Sequence, residues 1–307
     1  MIIQLTTAYL ASLGEGEISE LYVGIIQNEH YLDCDGTSRA ILQNAVEKFG
    51  SRTQKHLMKS NHQGHLSAEL RQYLTTIPCI HFSYSALMVI VCKPSCLMIE
   101  NLAYESDVYR SIIGTYVGDP RFRNIFKKLD DAQNRGWLTF LHAGGFGMMG
   151  PLLDYYERRD YAHVTKNKIA VLMDRDTDTG TQFPSGRTGL LEKLSGKAIG
   201  SLSNTDVYTL SQNVYIWHIW QKRAIENYFP PNHYDNLGFP SATAPSTPID
   251  WSFKNLGKIR HYSKSDLFSV SVGMSRIDYE TICSHFFIGG INLSEMQLFL
   301  LKLVKLI

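Results

Sequence analysis

The segment Lys168–Asp176 reads KIAVLMDRD. Behind Lys168 the chain is apolar and rich in β-branched residues up to Met173, then ends on Asp174-Arg175-Asp176. A short continuous apolar run of this kind fits a strand covered on both faces, as in a parallel sheet. In α/β sheets functional groups collect outside the carboxyl ends of the strands, which is where Asp174 falls. Asp174 and Asp176 are two apart, so extended backbone would point them the same way.

Outward from this segment the pattern repeats. Upstream, Trp137–Leu141 (WLTFL) reads as a strand and His142–Gly147 (HAGGFG) as a glycine turn after it. Further up, Ala86–Cys92 (ALMVIVC) reads as a buried strand, Lys93-Pro94-Ser95 as a break, and Cys96–Ile99 (CLMI) as another strand, ending on Glu100-Asn101. Ser106–Tyr116, Arg121–Asn134 and Met148–Tyr156 read as helices, the second with Phe122, Ile125, Phe126 and Leu129 on one face. Downstream, Thr177–Gly189 is a loop, Val207–Leu210 and Val214–Trp220 are strand candidates, and Gln221–Tyr228 turns helical before Pro230-Pro231 stops it. Strands alternating with helices predict an α/β fold with a mainly parallel sheet flanked by helices.

This pattern places an α/β domain at residues 86–235, the region the resemblance described below makes the catalytic domain. Residues 1–85 form an N-terminal accessory region, with helices expected over Ser38–Phe49 and Leu66–Leu74. Residues 236–307 form a C-terminal extension, with a loop at Gly238–Ile249 and an apolar helix over Ser294–Leu306 that Ser294 would cap. That helix docks either on the core or on a partner. Both flanks are expected to add α/β elements.

The bulk composition of the 307 residues narrows the class. Hydrophobic residues make up 44% of the chain, enough for a sizeable core. The net charge of +1 excludes a chain that is basic throughout, so attraction to phosphates must be local or supplied by a metal or partner. The five cysteines are too few and too scattered for a disulfide framework. Cys92 and Cys96 lack the second pair that a zinc site needs, and read as buried thiols. Met1–Leu13 lacks a basic start and a cleavage signal, and no apolar run reaches the ~20 residues of a membrane span, so a cytoplasmic protein is expected.

The candidate chemistry lies in carboxylates: Glu100 after one strand, Asp174 and Asp176 after another, and Glu226 after a third. Carboxylates that crowd together stay ionised only when a cation neutralises them, and hard oxygen donors suit Mg²⁺, Mn²⁺ or Ca²⁺. Each acid also has a plain reading. Asp174 fits a helix cap, Glu100 a solvated loop, Glu226 a helix surface and Asp178 a turn former. Lys222 and Arg223 fit either a phosphate grip or a solvated helix face. His142 fits a phosphate contact, a proton shuttle or a structural role. The two histidines of Asn61–His65 (NHQGH) fit surface polarity.

The ordered set resembles the Toprim domain, shared by topoisomerases, bacterial primases and the overcoming-lysogenization-defect (OLD) nucleases. The resemblance rests on Glu100 in LMIEN, Gly144-Gly145 in LHAGGFG and Asp174-Arg175-Asp176 in VLMDRD, and covers residues 86–230. Lys222–Tyr228 (KRAIENY) resembles an element of the OLD-like branch and related defence nucleases. Asn101 stands where the family usually has glycine, and the next acids, Glu105 and Asp107, come later than usual. The resemblance implies a Rossmann-like Toprim fold and a Mg²⁺-dependent endonuclease, with Mn²⁺ as an alternative ion. Glu100, Asp174 and Asp176 would be metal ligands. Glu226 would hold a second metal or act as base, Lys222 would be a catalytic cation, and water would be the nucleophile. The sequence contains no P-loop of the G-x-x-x-x-G-K-[ST] type. By analogy with two-component anti-phage systems, a separate ABC/OLD-type ATPase would be the partner, with a homo-oligomer also open. A regulatory or nucleic-acid-binding Toprim subunit and a primase-like nucleotidyl transferase are the alternative functions.

Overall fold

The computed structural model of the protein describes residues 1–51, 71–160, 162–177, 179–210, 214–230 and 264–307. In chain order its strands are β1 (Ile2–Gln4), β2 (Tyr31–Asp33), β3 (Thr76–Pro78), β4 (Ser95–Ile99), β5 (Leu138–His142), β6 (Ile169–Met173), β7 (Ile216–Ile219), β8 (His285–Ile288) and β9 (Ile291–Ser294). The chain is α/β, with mostly parallel sheets flanked by helices. The histidines of Asn61–His65, Asp178, most of Leu66–Leu74 and the loop Gly238–Ile249 lie outside the described residues.

The central sheet has the order β5-β4-β6-β7, and every pairing in it is parallel. Every residue of β6 is buried, which explains its unbroken apolar sequence. Helices Leu102–Tyr116, Arg123–Asn134 and Glu295–Val304 pack on one another and on this sheet. Helices Met149–Asp160 and Ala162–Lys168 pack together, and the latter lies against β4 and β6. The expected amphipathic face is present at Arg123–Asn134, where Ile125, Phe126 and Leu129 are buried.

The N-terminal region has its own parallel sheet, ordered β2-β1-β3. Helices Glu15–Gln27 and Gly36–Phe49 supply Ile18, Leu21, Ile25, Leu42 and Val46 to its core. Towards the C terminus, β8 and β9 form an antiparallel hairpin.

Four local expectations need correction. Residues Tyr84–Cys92 form a helix, not a strand. Ser83 caps it by accepting from the Ala86 amide, and Lys93, held extended by the following Pro94, ends it. Ala86, Leu87, Ile90 and Val91 belong to the N-terminal core, so the boundary read at residue 85 passes through this helix. Cys92, at the helix end, is exposed and Cys96 is half-buried, so neither is the buried thiol expected; all five thiols are free. In place of a strand at Val207–Leu210 there is a short helix, Asn204–Val207, with Ser203 and Asp206 closing its start. Over Gln221–Tyr228 only Ile225–Tyr228 winds, as a 3-10 turn, because the Asn227 side chain accepts from the Ala224 amide.

The apolar C-terminal helix runs over Glu295–Val304 and docks on the core, with every residue in it buried. Ser294 and Gln297 form a capping box at its start, with the Ser294 amide donating to Gln297 Oε1 at 2.9 Å. The capping box satisfies buried donors at the helix start. A helix buried all round must still place its polar side chains. Lys302 does so by donating to the carbonyls of Val207 and of Trp217, the latter at 2.9 Å in β7. Among the described residues no helix is long and apolar enough to cross a membrane.

Phe299 is the packing centre of this helix, with its ring 5.1 Å from that of Trp220, 5.6 Å from His218 and 6.1 Å from Tyr109. Phe299→Ala is expected to cost about 3–5 kcal/mol in denaturant unfolding. Phe287→Ala, at a site 78% exposed, is the control and should change stability by about 0.5 kcal/mol or less.

Candidate carboxylate site at the sheet edge

Pairing of β4 with β5 and β6 brings their carboxyl ends side by side. Glu100 therefore leaves the sheet next to Asp174. The glycine turn closes over Glu100: Gly145 donates its amide to the Glu100 carbonyl at 3.0 Å, and Ala143 donates to Ile99 at 3.0 Å. Gly144 and Gly145 have φ of 78° and 97°, a region that favours glycine.

The Asp-Arg-Asp segment is pinned by its backbone. The amides of Arg175 and Asp176 both donate to the Arg223 carbonyl, each at 2.9 Å. Asp176 is left-handed, with φ of 53°, so the simple extended geometry expected for this pair does not hold. Arg175 points away from both acids into the core. It donates to the carbonyls of Trp220 at 2.8 Å and Gln182 at 2.7 Å, and to the Tyr208 hydroxyl at 2.8 Å. The motif thus alternates functional and structural side chains.

The residue that joins the site is Arg187, which lies in the stretch Thr177–Gly189 that the sequence marks as a loop. Its Nη1 donates to Glu100 Oε1 at 2.8 Å and to the Asp174 carbonyl, and its Nη2 donates to Asp176 Oδ2 at 2.5 Å. Its guanidinium also lies 4.2 Å from the ring centre of Phe146, in the glycine turn. The Arg187 side chain is 6% exposed, against 19% for Glu100 and 47% for Asp176, so the cation sits beneath the acids and faces outward through them. In the sequence, its only mark is to be the lone cation in a stretch of Thr, Gly, Ser and Pro.

Two further acids reach Asp174. Burial raises the Asp174 carboxyl well above its usual range, and Glu226, Glu105, Glu100 and Asp176 push it further. Among these charges Glu226 acts most strongly. It sits in the turn whose Ile225 amide donates to Asp174 Oδ1 at 3.2 Å. Glu105 is tied back to the Asn101 amide at 3.3 Å. Burial also raises Glu100, with Arg187 opposing the shift and Asp176 adding to it. Arg187 thus joins Glu100, Asp176 and the Asp174 carbonyl, and the Asp174 carboxylate accepts from the turn that carries Glu226.

The Lys222 ammonium is 5.6 Å from the Tyr228 ring; burial lowers its proton affinity, and Glu295 opposes the shift. Lys222 belongs to a buried network beside the carboxylate cluster. There Glu295 accepts from Tyr228 Oη and from the Gln221 amide at 2.6 Å, and meets His218 Nε2 at 3.2 Å. Burial pushes Glu295 up to about 7. The network ties the turn that carries Glu226 to the C-terminal helix. His142 is exposed at the end of β5, paired with Ile99.

The donor set is chemically suited to a hard cation, being made of carboxylate oxygens that raise one another's proton affinity. Among the described residues, however, no three acid, imidazole or thiol groups stand ready to coordinate one ion. Arg187 occupies the place between Glu100 and Asp176, so joint ligation by both would require its guanidinium to move. Comparison of the chain with known protein families, curated proteins and solved structures finds no match.

The crowding at Asp174 has a measurable sign. Its folded-state proton affinity exceeds that of the unfolded chain, so stability is lost as pH rises from the ordinary carboxyl range through the raised value. Asp174→Asn keeps an oxygen for the Ile225 amide and removes the charge. With chelator present, the variant should melt at or above the wild-type temperature at neutral pH, and the difference should shrink on acidification. A variant that melts lower at neutral pH would show that the acids do not repel. Asp176→Asn should be tolerated in the left-handed conformation, whereas Asp176→Val should lose about 1–2 kcal/mol on thermal unfolding.

Proposed function

We propose that this chain is a Mg²⁺-dependent nuclease of the Toprim type, cutting phosphodiester bonds in nucleic acid under the control of a separate ATPase. The observation that carries this reading is the convergence of Glu100, Asp174, Asp176 and Glu226. They come from three segments, in the order of the Toprim pattern, at the carboxyl ends of neighbouring parallel strands; Arg187 links Glu100 with Asp176, and the Ile225 amide sets the Glu226 turn against Asp174. Acids so far apart in sequence have no structural need to share one place, and their mutual repulsion makes the arrangement costly without a function.

Glu100, Asp174, Asp176 and Glu226 would hold Mg²⁺ or Mn²⁺, which supplies charge neutralisation and polarises a bound phosphate. The chain's own groups do the rest. Glu226, half-buried at the rim, takes the proton from the attacking water. The glycine turn gives the backbone of the substrate room to approach, since a Cβ at Gly145 or Gly147 would meet nothing within 4 Å. Tyr109 is buried, with its ring stacked on those of Phe140 and Trp220, which keeps its phenol from acting as a covalent nucleophile and favours water.

The net charge of +1 supports a partner, since a nuclease that finds its own substrate gains affinity mainly from phosphate contacts. A separate ATPase of the ABC/OLD type, in an anti-phage assembly, would supply recognition and control access to the site. A second reading, a regulatory subunit that is silent until completed, draws on the Arg187 contact, which leaves the acids already neutralised in part.

Purified protein should cleave plasmid DNA or structured RNA only with Mg²⁺ or Mn²⁺, and Glu100→Gln or Asp174→Asn should reduce this to background while melting no lower than the wild type. Cleavage that survives chelator, or variants that fail only because they unfold, would remove the metal-dependent reading. Co-purification from the native host, followed by cleavage assays with and without ATP, tests the partner. A free chain that cuts at full rate with Mg²⁺ alone would refute ATPase control and leave the metal site standing.

A further inference from the structure

Arg187 is the residue of the site to which the reaction above gives no part. Its guanidinium is held by Glu100 Oε1 at 2.8 Å, Asp176 Oδ2 at 2.5 Å and the Asp174 carbonyl oxygen. Two carboxylates and a carbonyl are the donors a hard divalent cation takes. The arginine therefore fills the same coordination role with hydrogen bonds in place of metal–oxygen bonds. A metal ion and a guanidinium cannot both bind the same oxygens at close range, because two cations in a half-buried site repel strongly.

We propose that Arg187 is the resident counter-ion of the carboxylate site, that a divalent cation displaces it, and that the freed guanidinium then binds the phosphate of the nucleic acid. This rests on the metal-dependent reading above and assigns Arg187 a role within it.

Three features of the structure favour the exchange. The planar fork of arginine matches phosphate as well as carboxylate, so one anion can replace the other without loss of geometry. A buried guanidinium left without an anion is costly, so displacement by metal requires a new anion, and the substrate phosphate is the one this site receives. Open space borders the turn that carries Arg187. Arg187 follows Gly186, at which a Cβ would meet nothing within 4 Å, in the short turn Ser185–Arg187. The Phe146 ring, 4.2 Å away, offers an apolar face on which the guanidinium can rest while its polar partners change. Metal and phosphate then bind cooperatively, since each removes a cost that the other would meet alone.

The test is Mn²⁺ binding, measured by calorimetry or by the loss of free-ion paramagnetic signal. It uses the full chain as wild type, Arg187→Ala, Arg187→Gln and Asp174→Asn, with and without a phosphorothioate oligonucleotide. Removing the competing cation should tighten Mn²⁺ binding by about tenfold in Arg187→Ala. The oligonucleotide should tighten it in the wild type and have no such effect in the variant. Arg187→Gln, which keeps hydrogen bonds without charge, should behave the same way and serves if the alanine variant does not fold. Equal or weaker Mn²⁺ binding in both Arg187 variants, with Asp174→Asn binding none, would overturn the exchange and leave the metal site intact. Absence of Mn²⁺ binding in every form, with or without oligonucleotide, would overturn both.

Discussion

Like-charge repulsion at the edge of a parallel sheet is the constraint around which this protein is arranged. Parallel pairing sends neighbouring strands out of the sheet on the same side, so acids at the ends of β4 and β6 become neighbours by construction. Holding them there takes donors from several directions. The glycine turn fixes Glu100 through its carbonyl, Arg223 fixes the Asp-Arg-Asp backbone, and the Ile225 amide meets Asp174. Arg187 supplies a positive charge between Glu100 and Asp176. Without these contacts the acids would move apart, because isolated carboxylates in a half-buried site favour separation or protonation.

Much of this was legible in the sequence. A run such as KIAVLM leaves few options once it is too apolar for a half-exposed strand and too short for a helix. The strand ends, the glycine turn and the three principal acids could be placed from that pattern alone. The same logic misread ALMVIVC. Seven residues of apolar chain fit a buried helix as well as a buried strand, and the decision lies with Ser83 as a cap and Pro94 as a stop. Arg187 was not legible, because its importance comes from where the loop folds back and not from any periodicity. Lys222 sat beside Glu226 in sequence and looked like part of its chemistry, yet its ammonium lies by the Tyr228 ring and Glu295 acts on it.

The turn that holds Glu226 depends on a part of the chain remote in sequence. Tyr228 donates to Glu295, at the first turn of the last helix, and the Gln221 amide donates to the same carboxylate. Ser95, at the start of β4, donates through its hydroxyl to the Leu306 carbonyl at 2.5 Å. The C-terminal segment therefore braces both ends of the central sheet. A buried acid in such a place is costly, and three donors are what make it tolerable.

That bracing has a consequence for how the protein comes into being. The helix Glu295–Val304 is synthesised after every strand of the central sheet, and domains form while the chain leaves the ribosome at about 5–20 residues per second. Until the helix emerges, the buried faces of Trp220, Tyr109 and His218 lack Phe299, and Tyr228 lacks its carboxylate acceptor. A nascent chain halted before this point would carry all the acids of the edge without the Tyr228–Glu295 contact that braces the Glu226 turn. The braced form of the edge is therefore reached only after residues 295–304 have been synthesised.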